Sequence, residues 1–141
     1  MCRHPGFSFI MPTYNRAFCI AGAVDSVLAQ NYDNLELIIV DDGSTDGTED
    51  FIRSRYAREL ACGRIKYLHG EHRGVCPARN IGLKQASKEW IAYIDSDNAI
   101  VPDFVATYLK AMRTPGQRYF TPSIAEIPQV LSVVKNLAAN L

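Results

Sequence analysis

The sequence predicts an α/β domain with a mostly parallel sheet and helices on both of its faces. Short apolar runs alternate along the 141-residue chain with segments whose apolar residues recur at helical spacing. Strands that are apolar along their whole length are typical of parallel sheets covered on both sides. The alternation indicates strand-helix-strand units joined by right-handed crossovers. The length suits one hydrophobic core, so we expect a single domain over residues 1–141.

The first four strands and helices follow from this alternation. The apolar runs predicted as strands cover residues 7–11, 35–40, 65–68 and 90–94. Apolar residues at helical spacing predict helices over residues 20–28, 51–60, 76–86 and 102–112. Pro12 closes the first strand, and Pro77 suits the first position of the third helix.

The C-terminal part of the sequence is predicted as a fifth strand, residues 118–122, and a last helix, residues 127–141. The predicted helix carries one apolar stripe: Ile127, Val130, Leu131, Val134, Leu137, Ala138 and Leu141. Such a stripe must be buried, either on the chain's own sheet or against a second copy. We expect the second case, a homo-oligomer through the 127–141 helix.

Composition excludes several classes of partner. Fifteen basic residues balance fifteen acidic ones, which gives no electrostatic reason to expect nucleic acid or an anionic membrane surface as a partner. No apolar run approaches the ~18 residues of a transmembrane helix, and residues 1–6 lack the apolar region of a signal peptide. We therefore expect a cytoplasmic protein without a transmembrane segment.

Polar clusters follow three of the predicted strands, at residues 12–16, 41–44 and 95–97. Ligands of open parallel sheets bind beyond the carboxyl ends of the strands, where these clusters would meet. Asp95 and Asp97 are two positions apart, so on an extended strand both would point to one face. Such a carboxylate pair suits Mg²⁺ or Mn²⁺, with substrate phosphates completing the shell. The alternative is an Asp-Ser-Asp turn that caps the next segment.

Other candidate residues also have two interpretations. Asp42 can accept hydrogen bonds from a nucleoside, or it can form an Asx turn with Gly43 and Ser44. His69 and His72 could be a metal pair, but a polar turn after a strand is favoured. The glycine-rich fingerprints of ordinary NAD and P-loop sites are missing from the sequence.

Taken together, four motifs resemble the nucleotide-sugar-binding half of family 2 glycosyltransferases, which have the Rossmann-like GT-A fold. They are FIMPTYNR (9–16), LIIVDDGSTD (37–46), GVCPARNIG (74–82) and IDSD (94–97). The resemblance covers residues 7 to about 104 and is loose beyond residue 114. It implies a chain that stops before the acceptor half, either as a piece cut from a longer enzyme or as a natural truncation.

The resemblance implies roles for residues that would bind the nucleotide. Pro12, Thr13 and Tyr14 would line the base and ribose, and Asp42 would hydrogen-bond the base. Arg79 would approach the diphosphate or the base, and a guanidinium near a helix N-terminus suits phosphate. The alternative for Arg79 is a surface salt bridge.

The family's DXD metal motif would correspond to Asp95 and Asp97. Asp97 would coordinate Mn²⁺ or Mg²⁺ directly, and Asp95 would contact the ribose or, through water, the metal. Many family members have another acidic residue at the next position, where this chain has Asn98. Metal affinity is therefore expected to be lower, with the site retained.

The implied reaction is transfer of a sugar from a nucleoside diphosphate donor, with a UDP-sugar favoured, to an acceptor hydroxyl with inversion. Asp97 and Arg79 would stabilise the departing diphosphate. The catalytic base is not identified, and Glu126 is a poor candidate. The acceptor stays open; a lipid-linked glycan would place the protein at the inner face of a membrane.

Because the acceptor side is missing, we expect the chain alone to be inactive or weakly active. One alternative is a non-catalytic nucleotide-sugar-binding or interaction module. A nucleotidyltransferase ranks last, because no glycine-rich loop follows residues 7–11.

Overall fold

The computed structural model describes residues 4–111 and, for the backbone alone, residues 119–120 and 130–135. Six strands form one sheet in the order β3-β2-β1-β4-β6-β5. They are β1 (Phe7–Thr13), β2 (Leu35–Asp41), β3 (Ile65–His69), β4 (Trp90–Ile94), β5 (Tyr119–Phe120) and β6 (Val130–Lys135). The pairs β1/β2, β1/β4 and β2/β3 are parallel. The predicted mostly parallel sheet is confirmed.

Five helices connect or follow the parallel strands. They are α1 (Ile20–Leu28), α2 (Thr48–Arg55), α3 (Ala57–Ala61), α4 (Val75–Gln85) and α5 (Phe104–Ala111). The single helix predicted over residues 51–60 is two short helices, because Tyr56 leaves helical geometry with φ −115° and ψ 31°. The Tyr56 ring is buried, and its hydroxyl donates a 2.7 Å hydrogen bond to Asp25 Oδ1 on α1.

Helices cover both faces of the sheet, as predicted. Alternate side chains of a strand point to opposite faces, and Phe7, Phe9 and Met11 of β1 share one buried cluster with residues of α1, α2 and α5. Ile38 and Val40 of β2 form the cluster on the other face, against α4. The first face therefore holds most of the hydrophobic core, and α4 alone among the described helices contributes to the second cluster.

The approach of α4 to the sheet depends on Gly82. A Cβ atom at this position would lie 2.5 Å from Cγ2 of Ile10 and 3.2 Å from Cγ2 of Val40. Both neighbours are buried side chains of the sheet, so they have little room to yield. Gly82 thus allows close packing that brings the N-terminus of α4 to the carboxyl edge of β1 and β2.

At the opposite end of the sheet face that packs on α4, a buried carboxylate connects neighbouring segments of the chain. Glu36 on β2 is 4% exposed and accepts hydrogen bonds from the Ser8 hydroxyl at 2.6 Å and the Ser87 backbone N–H at 2.7 Å. Lys66 Nζ lies 2.8 Å from the second carboxylate oxygen. Burial alone would raise the pKa of Glu36, but these hydrogen bonds outweigh it and lower the pKa below the ordinary value.

The prediction of a helix over residues 127–141 is wrong for residues 130–135, which form β6 and pair antiparallel with β4. Short apolar runs fit a helix stripe and a strand equally well, and the valine-rich run VLSVVK favours the strand. The basis for self-association through a 127–141 helix is thereby lost. In the predicted strand 118–122, residues 119–120 are strand β5. Glu126 lies outside the described residues.

None of the helices within the described ranges combines the length and the apolar character that a membrane-spanning helix requires.

Candidate functional site

A pocket of about 320 Å³ lies at the carboxyl edge of the parallel strands. All three polar clusters contribute to it, together with the start of α4. Its wall is formed by Pro12, Thr13, Tyr14, Arg16, Asp42, His72, Gly74, Val75, Ala78, Asp95, Ser96 and Asp97. Six of the seven residues to which the sequence assigns a nucleotide or metal role therefore share one cavity, and the seventh, Arg79, is not part of this wall.

Asp95 and Asp97 reach the pocket from a turn. Strand β4 ends at Ile94, and the Asn98 N–H donates a 3.1 Å hydrogen bond to the Asp95 carbonyl, which closes the turn. Asp95 and Asp97 therefore lie in a turn beyond β4, so the alternation of side chains along a strand does not determine their directions. The turn does not cap the next helix either, since α5 begins at Phe104. Both carboxylates nevertheless line the same cavity.

The two carboxylates differ in their partners. Asp95 Oδ1 lies 3.4 Å from an Arg79 guanidinium nitrogen. Asp97 is exposed, and within the described part of the chain no hydrogen bond or ion pair engages its side chain. A carboxylate that faces a pocket without a protein partner is suited to an external cation.

Asp42 is 8% exposed and anchors the loop before α4. Its two carboxylate oxygens accept backbone N–H groups of Arg73 at 2.8 Å and Gly74 at 2.9 Å. Burial would raise the pKa of Asp42, but these hydrogen bonds and the nearby His72 lower it overall. Asp42 does not form the Asx turn considered for it; the Ser44 N–H donates instead to Oδ1 of the neighbouring Asp41, at 2.7 Å.

His72 closes the Asp42 side of the pocket. Its Nδ1 lies 2.8 Å from Asp42 Oδ2, and its ring stacks on Tyr14 with centroids 4.1 Å apart. This loop can approach because Gly43 has a φ of +83° and no side chain; a Cβ there would lie 2.9 Å from the His72 backbone nitrogen. Sequence reasoning considered His72 for a metal pair and assigned it no role in the nucleotide site.

His69 points to a different set of carboxylates. Its Nδ1 lies 3.6 Å from Asp41 Oδ2 and 3.4 Å from Glu49 Oε2. His69 and His72 therefore have separate partners, and the favoured interpretation of this segment as a polar turn agrees with residues 70–74, which are neither helix nor strand.

Arg79 projects from α4 and is partly buried. Besides the contact with Asp95, its guanidinium carbon lies 5.8 Å from the centroid of the Tyr93 ring. Its buried Nε has no hydrogen-bond partner within the described residues. Arg79 thus adjoins the pocket through Asp95, and its predicted contact with a diphosphate stays a prediction.

The carboxylates of the pocket suit a divalent metal whose remaining coordination positions are filled by a substrate. No group of three His, Cys, Asp or Glu side chains suited to a metal occurs in the described part of the chain. The described residues therefore do not form a metal site from protein ligands alone. The carboxylates of Asp95 and Asp97 match the one or two that Mg²⁺ sites commonly use together with phosphates.

Comparison with known proteins agrees with this arrangement of fold and pocket. The model of the family described as "Glycosyl transferase family 2" matches residues 8–135. The chain belongs to glycosyl transferase family 2.

A curated relative from Escherichia coli, UDP-Glc:alpha-D-GlcNAc-diphosphoundecaprenol beta-1,3-glucosyltransferase WfgD, is 42% identical over 92 residues, or 64% of this chain and 34% of that protein. The mannosyltransferase PcManGT from Pyrobaculum calidifontis, solved with GDP-Man and Mn²⁺, superposes with a TM-score of 0.72 at 31% identity. That match covers 81% of this chain and 34% of that one.

A second solved structure, S. aureus TarS 1-349 with UDP-GlcNAc, gives a TM-score of 0.69 at 28% identity and covers 83% of this chain and 37% of that one. The matches therefore cover about a third of each of these three chains.

Proposed function

We propose that the chain is the donor-binding part of an inverting, metal-dependent glycosyltransferase that uses a UDP-sugar. The observation that carries the proposal is the pocket at the carboxyl edge of the sheet that brings Asp42, Asp95 and Asp97 together in one wall. Two of the three similar proteins have UDP-linked sugars in their names or complexes, which supports UDP over GDP.

The protein residues divide the work of binding the donor. Pro12, Thr13 and Tyr14 at the end of β1 would line the base and ribose, because they form one wall of the pocket. Asp42 would face the base. Its Oδ1 accepts one backbone N–H and keeps a lone pair for a further donor, whereas Oδ2 already has the Gly74 N–H and His72 Nδ1 within hydrogen-bond distance.

The metal, Mn²⁺ or Mg²⁺, would be held by Asp97, with Asp95 beside it. The Mn²⁺ in the complex of the similar mannosyltransferase supports a divalent cation for this family fold. When bound, such an ion neutralises charge that develops on a departing diphosphate. Asp95 lies 3.4 Å from Arg79, and this contact favours one direction of the second carboxylate before the donor arrives.

Inverting transfer also requires a carboxylate that accepts the proton of the acceptor hydroxyl on the opposite face of the sugar. We assign no described residue to that role, and Glu126 lies outside them. The single-domain assignment of residues 1–141 and the cytoplasmic location stay predictions.

Calorimetric titration of the chain with UDP, with and without Mn²⁺, tests this proposal. We expect Mn²⁺ to strengthen UDP binding in the unsubstituted chain, and Asp97→Ala to remove that difference. Asp33→Ala changes an exposed carboxylate outside the pocket and serves as the matched control. Equal UDP affinity with and without Mn²⁺ would disprove the metal role, and no UDP binding in either case would disprove the nucleotide site.

A further inference from the structure

Arg16 lines the pocket, and its positive charge has no role in the proposed donor site. It follows β1 in the loop before α1 and contributes to the same pocket wall as Asp95 and Asp97. In the described part of the chain its guanidinium makes no ion pair with any carboxylate. A cation that lines a pocket and lacks an internal counter-ion is available to an anionic ligand.

The backbone around Arg16 is held in place by the loop after β2 and the first residue of α2. Three successive backbone N–H groups, of Asn15, Arg16 and Ala17, donate to Ser44 Oγ at 2.8 Å, Thr48 Oγ1 at 3.2 Å and Asp46 Oδ2 at 3.0 Å. The Thr45 N–H donates in return to Asn15 Oδ1 at 2.8 Å. The guanidinium therefore extends from a fixed point, which lowers the entropy lost on binding.

An exposed aromatic ring lies beside this guanidinium. The Phe18 side chain is 79% exposed, and the Arg16 guanidinium carbon lies 5.9 Å from its centroid. This distance is within the range of a cation–π contact, which limits the directions available to the guanidinium. The contact gives a physical reason for an aromatic residue at an otherwise solvent-exposed position.

The two other arginines beside the pocket, Arg73 and Arg79, are already engaged, and Arg73 forms an ion pair with Glu71. Arg79 is paired with Asp95 and adjoins the pocket through that residue, as described above. Arg16 is therefore the pocket-lining arginine that has no carboxylate partner among the described residues. A doubly charged diphosphate that enters the pocket would contact this arginine. The guanidinium fork also matches the geometry of phosphate oxygens.

We propose that Arg16 is a phosphate-binding residue that contacts the diphosphate of the donor, with Phe18 as its positioning residue. This inference rests on the proposed function, since it needs a nucleoside diphosphate in the pocket. It assigns to the β1–α1 loop a contact that is separate from the predicted one of Arg79.

The test is calorimetric titration with UDP and with uridine, both in the presence of Mn²⁺. The variants are Arg16→Gln, Arg16→Lys and Phe18→Leu, with Arg58→Gln, an exposed arginine on α3, as the matched control. Circular dichroism and urea unfolding check that each variant folds; the loop contacts use the backbone of residue 16, so the side chain can change without removing them.

Arg16→Gln should weaken UDP binding about 10- to 150-fold, the range for a lost hydrogen bond to a charged group, and change uridine binding less than about twofold. Arg16→Lys should retain part of the affinity because it keeps the charge but not the fork. Phe18→Leu should weaken UDP binding by a smaller factor than Arg16→Gln.

Three results would overturn the inference. Unchanged UDP affinity in Arg16→Gln would show that Arg16 does not contact the diphosphate. An equal loss for UDP and uridine would place Arg16 at the base or ribose. Absence of UDP binding in the unsubstituted chain would overturn the proposed function and this inference with it. The first two results, in contrast, would overturn the role of Arg16 alone.

Discussion

The carboxylate of Asp42 accepts a 2.9 Å hydrogen bond from the backbone N–H of Gly74, 32 positions further along the chain. Gly74 is the N-cap residue of α4, and no side-chain hydrogen bond within that helix end satisfies its first turn. A carboxylate at the end of β2 thus supplies the acceptor that a helix N-terminus needs. The same residue faces the pocket, so fold stability and ligand binding are joined there.

Asp42→Ala should lower the free energy of unfolding by about 1.5–3 kcal/mol, because two backbone donors lose a charged acceptor. Asp42→Asn should lose less, since its amide oxygen can still accept. Urea unfolding at neutral pH measures both, with Asp33→Ala as an exposed control that should stay within about 0.5 kcal/mol of the original chain. Equal stability of Asp42→Ala and the control would contradict the anchoring role.

The close packing of α4 predicts opposite results for two glycine substitutions. Gly82→Ala places a Cβ 2.5 Å from Ile10 Cγ2 and should destabilise the chain by about 1–3 kcal/mol. Gly22→Ala in α1 meets no atom within 4 Å and should be neutral or stabilise by up to about 1 kcal/mol. Thermal unfolding of both variants checks this contrast. A Gly82→Ala chain as stable as Gly22→Ala would show that α4 has more room than the structure gives it.

The pKa of Glu36 predicts how stability depends on pH. Because the folded-state pKa is lowered below the ordinary value of 4.5, its contribution is complete above about pH 4.5 and is lost as the pH falls through the lower folded-state pKa. Glu36→Gln should therefore be less stable at pH 7, by about 1–3 kcal/mol, and should lose less additional stability below pH 4.5.

Urea midpoints at pH 7 and at several values below 4.5 measure this difference for Glu36→Gln and the original chain. Asp50→Asn, an exposed carboxylate on α2, is the control and should follow the original chain. Parallel acid profiles for Glu36→Gln and the original chain would show that the titration of Glu36 does not contribute.

The sequence was sufficient to predict where the pocket lies. Apolar runs locate the parallel strands, and the carboxyl ends of such strands meet at one edge, so the clusters at residues 12–16, 41–44 and 95–97 had to converge. The contacts of individual side chains were not predictable in this way. The partners of Asp42 come from the loop at residues 72–74, and nothing in local spacing links two segments that far apart.

The wrong helix over residues 127–141 has a different cause. Its apolar residues satisfy a helical period, but residues 130–135 form strand β6, and four of these six residues pair with β4. Whether such a segment forms a helix or a strand depends on whether an unpaired strand edge lies nearby. The position of that edge is a property of the whole sheet. For the same reason, sequence placed Arg79 on a helix near the pocket but could not show that Asp95 is its partner.

The Arg79–Asp95 contact predicts non-additive effects on UDP binding. The sequence resemblance predicts that Arg79→Ala weakens UDP binding by about 1.5–3 kcal/mol with little change for uridine. If Arg79 acts by orienting Asp95, as their 3.4 Å separation indicates, the double variant Arg79→Ala/Asp95→Ala should bind UDP no more weakly than the weaker single variant. Calorimetry on the four chains of this cycle, with Mn²⁺ present, measures the coupling. Fully additive losses would show instead that Arg79 contacts the diphosphate independently of Asp95, and loss of folding in Arg79→Ala would make the contact a structural salt bridge.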